Sequence, residues 1–325
     1  MGILSTSVKQ ESDPTLDAVR KAIEAGEDDM ARKPRSYLGA SSIGQPCHRR
    51  IWLGFRWSVF RKIEAKGSLA INDGHRGEDV MADLLRRVPG ITLWTTDPHS
   101  DDNTKQIGFL DAHFGGNLDG VINGLLQAPK TPHVWENKVC NEKKLAALSK
   151  FKADLGEKAA LKAWDVVYYA QAQVYMRALG LTRHYMTVCA PGVRDFISVR
   201  TDYEAIEAER YWALAHSLSV TDTSPIKLSE NPTWFECKFC DFHGICHAKE
   251  FPNRNCRTCA SSTALPDGTW RCELLSKPLL PEDQMKGCNK HRYNPSMLSG
   301  RKPVDFNEET MEVTYDDGFI DKDQP

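Results

Sequence analysis

Asp119, Glu136 and Lys138 have the types and spacing to do chemistry. They sit in Asn117-Leu118-Asp119-Gly120 and, seventeen residues past the aspartate, in Glu136-Asn137-Lys138. The segment His133-Val134-Trp135-Glu136-Asn137-Lys138-Val139 has the β-branched and aromatic content of a strand, whose period of two puts Glu136 and Lys138 on one face. Asp119 is expected to arrive from the preceding strand. Two carboxylates and an ammonium converging in this way can hold divalent cations, orient a water and offset charge developing on a scissile phosphate. Alone, the pattern also recurs by chance on solvated strand edges, so the elements around it decide.

Two such elements can be read. Residues 164–179 (WDVVYYAQAQVYMRAL) predict a helix on which Gln171 and Tyr175, four apart, are neighbours. Upstream, Asp73-Gly74-His75-Arg76-Gly77-Glu78 leads into VMADLLRRV, whose Val80, Met81, Leu84, Leu85 and Val88 make a helical apolar stripe. His75 and Glu78 lie off that stripe at the start of the predicted helix.

The chain has ten cysteines and shows no signal peptide and no long apolar run. That predicts a cytoplasmic protein, not a membrane one, with reduced thiols, and clustered thiols in that setting point to metal. Cys237-x2-Cys240-x5-Cys246 supplies three thiolates, with a distant fourth candidate at Cys47; zinc on the three with His243 or His247 is the alternative. A second group follows, Cys256-x2-Cys259, Cys272, Cys288 and His291, five candidates in thirty-six residues. Zinc needs four in a closed tetrahedral site, so Cys256, Cys259 and Cys272 are expected to be joined by Cys288 or His291. So small and polar a segment would owe much of its folding energy to the metal. Cys140 and Cys189 belong to neither group and read as buried thiols in strands.

Asp119 with Glu136-x-Lys138 resembles the PD-(D/E)XK nuclease superfamily, with Leu118 where the family name has proline. Gln171-x-x-x-Tyr175, His75 and the cysteine spacing are similar to its RecB-like iron–sulphur branch, which includes the CRISPR-associated iron–sulphur exonucleases, the AddB nuclease domain and phage-type enzymes. The resemblance covers roughly residues 37–250. It implies an α/β fold with a mixed central sheet flanked by helices, and Mg²⁺ or Mn²⁺ on Asp119, Glu136 and His75, with Glu78 the second choice to His75. A backbone carbonyl of Val134, Trp135 or Asn137 completes the implied site. Lys138 would position water and stabilise charge, and Gln171 and Tyr175 would hold the DNA strand. Cys47, Cys237, Cys240 and Cys246 would bind a [4Fe–4S] cluster clasping the ends of the nuclease domain. The implied activity is hydrolysis of DNA from its ends in recombination or end processing, in a host cytoplasm if phage-encoded, beside a single-strand annealing or recombination protein. The rivals are a structure-selective or single-strand endonuclease and a non-catalytic DNA-binding scaffold; the intact Asp119, Glu136, Lys138 and Gln171 speak against the scaffold.

With 41% hydrophobic and 26% charged residues, the sequence has material for one core of about 200 residues and an appendage. The predicted organisation is a lead-in and helix over 1–36, a nuclease core over 37–225, a first cysteine module over 226–250, a zinc module over 251–300 and a flexible acidic tail over 301–325. Helices are predicted near 42–56, 74–88, 142–150, 157–180 and 203–218, and strands near 91–95, 108–114, 117–123, 133–139, 184–190 and 195–200. The net charge of −2 hides an asymmetry: residues 304–325 hold eight acids against Lys322, so the remainder has 41 basic and 36 acidic side chains, a balance of +5. Lys143, Lys144, Lys150, Lys152, Lys158 and Lys162 follow the Glu-x-Lys strand, and Arg49, Arg50 and Arg56 interleave with Trp52, Phe55 and Trp57. Cations neutralise phosphates and aromatic faces stack on unpaired bases, although a solvated face for the lysines and burial for Trp52 and Phe55 are the plainer readings.

Overall fold

Asp13 opens the first helix, α1 (Pro14–Asp29), its Oδ1 accepting from the Thr15 and Leu16 amides at 3.0 and 3.1 Å, as an N-cap does. The computed structural model describes residues 13–29, 34–60, 63–100 and 104–324; the flexible lead-in expected over 1–12 lies outside the described residues. After β1 (Leu38–Gly39) come α2 (His48–Phe55), α3 (Ala65–Arg86), β2 (Thr92–Trp94), β3 (Gly108–Asp111), β4 (Phe114–Asn117), β5 (Gly120–Asn123) and β6 (His133–Val139). The chain continues through α4 (Glu142–Leu155), α5 (Glu157–Trp164), α6 (Val166–Leu179), β7 (Arg183–Cys189), β8 (Phe196–Asp202) and α7 (Ala205–Val220).

Five strands form a mixed sheet in the order β2-β5-β6-β7-β8. Only β6 and β7 pair in parallel, and a parallel pair needs a long crossover, which α4, α5 and α6 supply. Both faces of β6 are covered. Leu145, Leu148, Leu161 and the α6 residues Ala170, Val174 and Met176 pack with Val134, Met186 and Val188 on one side, and Met81, Ala82 and Leu85 of α3 pack with Trp135 and Cys189 on the other. The crossing of α3 over β6 requires Gly77, since a Cβ there would stand 2.4 Å from Val139 Cγ2. This is the mixed sheet between helices expected from the sequence.

The elements differ from expectation where a side chain redirects the backbone. The strand predicted over 108–114 divides into β3 and the start of β4, and the one predicted over 117–123 keeps its pairing only over β5: β4 joins a small sheet in the order β1-β4-β3, β5 joins the main one, and Leu118, fully buried, turns into the core between them. The helix predicted over 157–180 breaks at Asp165, which is extended (φ −153°, ψ 105°) and caps α6 by accepting from the Val167 and Tyr168 amides.

Beyond α7 the chain makes α8 (Phe235–Lys238), α9 (His243–His247), the strands β9 (Ser262–Ala264), β10 (Trp270–Cys272) and β11 (Lys277–Pro278), and α10 (Pro281–Lys286). The acidic tail, expected to be flexible, is instead a sheet of β12 (Pro303–Asn307), β13 (Glu312–Tyr315) and β14 (Ile320–Asp321). Composition conceals its anchors. Tyr315 and Asp321 are buried, Asp321 accepts from the Tyr293 amide at 2.6 Å and faces Arg254 at 3.5 Å, and Asp323 pairs with Arg292 at 2.7 Å.

The C-terminal elements are fastened to α2 by two buried arginines. Arg257 donates to the carbonyls of Ser36 and Phe55 and to Gln284 Oε1 at 2.8–2.9 Å, and its guanidinium lies 3.7 Å over Trp57 and 4.8 Å from Trp270. Arg56 donates to the Arg257 and Thr221 carbonyls and to Asp222, beside Trp52. Cation–π contact offsets part of the cost of burying such charges. Arg49 is also buried and bonded to the Pro225 and Ser296 carbonyls, so Arg49 and Arg56, read from sequence as DNA contacts, are used inside the fold. Among the described residues no helix is long and apolar enough to cross a membrane.

Burial drives His113 down to about 4 and His184 down to about 3. Both are neutral in the folded protein, whereas in the unfolded chain they protonate near 6.5. A folded value below the unfolded one means that the unfolded state binds more protons, so stability is retained above about pH 6.5 and lost as pH falls, by about 1.4 kcal/mol per pH unit for each group. Raised carboxylates such as Glu136 and Glu78 work in the opposite direction, so the histidine share is read by difference: the stability lead of the parent over His184→Phe should shrink from pH 7 to pH 5 in denaturant unfolding. A lead that stays level across that range counts against this burial.

Candidate active site

Asp119, Glu136 and Lys138 meet at the sheet switch. β6 aims Glu136 and Lys138 to one face, and Lys138 Nζ donates to Glu136 Oε1 while lying 4.0 Å from Asp119 Oδ2. Asp119 accepts from the Asn137 amide at 2.8 Å, which ties the switch to the middle of β6. Gln171 of α6 donates to the same Glu136 Oε1 at 3.1 Å and lies 3.1 Å from the Tyr175 hydroxyl, which donates to the Asn117 carbonyl at 2.7 Å. Tyr175 reaches that carbonyl because residue 116 is glycine; a Cβ there would stand 2.8 Å from Tyr175 Cε1.

Gln171 and Tyr175, expected to hold a DNA strand, are thus buried beneath the carboxylates. They orient Glu136 and the backbone before Asp119 instead. Four-residue spacing is equally compatible with an outward and an inward pair, and the apolar neighbours of this helix decide for the inside.

The electrostatics fit a cation site. Glu136 is pushed up to about 8, first by burial and then by Asp119, and Asp119 is raised, mainly by burial. Burial pulls Lys138 down, but Glu136 and Asp119 outweigh it and hold the ammonium protonated. Glu136 Oε2 is buried with no hydrogen-bond partner. A buried acceptor without a donor is costly, and a divalent cation between Glu136 and Asp119 would satisfy it. No group of three or more His, Cys, Asp or Glu side chains among the described residues is gathered closely enough to hold a metal by itself. Mg²⁺ does not require one, since it keeps several waters and takes one or two carboxylates.

Both α3 candidates face this centre. His75 is exposed and its charge bears on Asp119. Glu78 is half-buried and pushed up to about 7, by burial first and then by Asp119, and its charge bears in turn on Glu136. Tyr168, which the sequence reading did not single out, lies with its ring 5.6 Å from Lys138 Nζ; its place three residues before Gln171, on the same helix face, was the available signal.

The thiols of the two expected groups line two cavities, in neither of which three or more donors are gathered closely enough to hold a metal as the side chains stand. Cys47, at the N-cap of α2, lines one cavity with Cys237, Cys240 and Cys246; burial raises the Cys240 and Cys246 thiols, with added repulsion from Cys47 on both and from Cys246 on Cys240. Cys256, Cys259, Cys272, Cys288 and His291 line another. Burial and the three neighbouring thiols push Cys256 up to about 12. His291 has Nε2 3.1 Å from Thr258 Oγ1 and a buried, unpartnered Nδ1. Cys189 is buried at the end of β7, and Cys140, half-buried, follows β6.

The lysine row divides. Lys152 donates to the Ser198 carbonyl and pairs with Glu157, Lys158 pairs with Asp202, and Lys162 with Glu204 and Glu207. Lys143, Lys144 and Lys150 are exposed and make no ion pair among the described residues.

No family model and no curated protein matches this chain. Among solved structures it is similar to SSO0001, at 14% identity over 73% of this chain and 98% of that one, with a TM-score of 0.40. It is also similar to an alkaline exonuclease from Laribacter hongkongensis, at 13% identity over 59% of this chain and 90% of that one, TM-score 0.37. A third is a phage-related exonuclease from Haemophilus somnus, at 11% identity over 46% and 68%, TM-score 0.33. Similarity at this level carries no argument, so the functional reading rests on the site.

Proposed function

We propose that the chain is a Mg²⁺- or Mn²⁺-dependent deoxyribonuclease of the PD-(D/E)XK type that degrades DNA from its ends. The observation carrying this reading is the buried Glu136 carboxylate, fixed at Oε1 by Lys138 and Gln171 and open at Oε2, beside Asp119. Asp119, Glu136 and either Glu78 or His75 are the residues that would hold the cation. The ion would supply a Lewis acid for the phosphate and lower the pKa of a bound water. Gln171 keeps Glu136 from rotating, and the Asn137 amide keeps Asp119 in register with β6. Lys138, held protonated by two carboxylates, offers its ammonium to the attacking water and to charge growing on the phosphate.

The cysteine spacing in the sequence adds two further metals to this proposal. Cys47, Cys237, Cys240 and Cys246 suit a [4Fe–4S] cluster, which would join α2 to the segment after α7. Cys256, Cys259 and Cys272, with Cys288 or His291, suit a structural zinc.

Dependence on ends is tested with end-labelled linear DNA and covalently closed circles in Mn²⁺, using Asp119→Ala as the control. Linear DNA should shorten progressively while circles persist. Efficient cutting of closed single-stranded circles, absent in Asp119→Ala, would establish an endonuclease instead.

A further inference from the structure

We infer that the cleft between α4 and the β7–β8 turn is a single-strand binding subsite, in which Phe196 stacks on an unpaired base and Lys143 and Arg194 take the flanking phosphates. The inference rests on the nuclease reading and specifies the substrate form that the site admits. The cleft is an open groove of about 1160 Å³, lined by Lys143 and Ser149 on one wall and Arg194 and Phe196 on the other. That exceeds the roughly 300–1,000 Å³ of pockets for drug-sized molecules, so it suits a length of chain better than one small ligand.

Its position links it to the chemistry. Asn141, on the cleft wall, follows Lys138 by three residues, and three residues of extended backbone span at most about 10 Å. The cleft wall therefore begins within about 10 Å of the Lys138 backbone, a short step for a strand whose reacting phosphate lies at Lys138.

Its walls select an unpaired strand. Phe196 is 59% exposed and offers an aromatic face to the groove, whereas in a duplex the base faces are already stacked. Lys143 and Arg194 are exposed and make no ion pair among the described residues. Glu142 and Asp195 also line the cleft and balance these two cations. Stacking, more than counterion release, must then carry the contact, and stacking is indifferent to sequence.

The test measures binding of fluorescein-labelled oligothymidylate and of a blunt duplex, with Ca²⁺ in place of Mg²⁺ or Mn²⁺ to prevent hydrolysis. Phe196→Ala should weaken single-strand binding about tenfold, Phe196→Trp should retain it, and duplex binding should be unchanged in both. Arg194→Ala should weaken single-strand binding severalfold, and Phe306→Ala, on β12 outside the cleft, should have no effect. Unchanged single-strand affinity in Phe196→Ala, or an equal loss on duplex, overturns the inference. These affinities are read without cleavage, so they can fail while the nuclease reading stands. Failure of that reading would show separately, as cleavage that survives Asp119→Ala.

Discussion

Alanine in place of Asp119, Glu136 or Lys138 should each lower cleavage of linear DNA by at least ~10²-fold, with DNA affinity changed far less, because each removes an interaction needed mainly in the transition state. The three should differ in stability. Glu136→Gln keeps the shape that Gln171 holds and relieves the like-charge contact with Asp119, but it also takes away the larger of the two charges that hold the Lys138 ammonium. That variant should be inactive and melt between the parent and Lys138→Ala in the absence of divalent cation. Lys138→Ala leaves two buried carboxylates without their cation and should melt lower. Initial rates on end-labelled DNA, with melting curves in chelator, read both effects. Parent-like cleavage by all three variants would show that the chemistry lies elsewhere.

The second large effect concerns the thiols. Protein purified without oxygen should be brown and carry about four irons and one zinc per chain, the content of one cubane cluster and one closed tetrahedral site. Cys47→Ser should lose the iron and keep the zinc, and Cys259→Ser should do the reverse. Cys47 and Cys237 are 190 residues apart in sequence yet line one cavity, so losing the cluster should also leave the Arg49 and Arg56 contacts as the remaining ties of α2 to the segment after α7 and lower the melting temperature. Two zincs and no iron in anaerobic protein would instead match the alternative in which a histidine joins Cys237, Cys240 and Cys246.

What could be read in advance was whatever depended on local period and residue type. The β6 pattern placed Glu136 and Lys138 together because a strand alternates, and the α6 pattern made Gln171 and Tyr175 neighbours because a helix repeats. The direction in which that pair points is set by packing against β6 and β4, which no local window contains. The bearing of Glu78 on the site was out of reach for a similar reason: its coupling to Asp119 depends on how closely α3 crosses the sheet over Gly77. Charge counting misjudged both basic groups, because Lys152, Lys158, Lys162, Arg49 and Arg56 spend their charge on partners distant in sequence. It misjudged the acidic tail in the same way, since Arg254 and Arg292 receive the acids that composition left unpaired.

The seating of Arg257 against Trp57 bears on how the protein is made. Those two residues are 200 positions apart, and at about 5–20 residues per second a ribosome needs some ~10–40 s to go from one to the other. For that interval Trp57, Phe55 and the Ser36 carbonyl wait without the guanidinium that covers them in the finished fold. The nascent N-terminal part is therefore born with a sticky aromatic surface, and its vulnerable period ends only when the last quarter of the chain emerges.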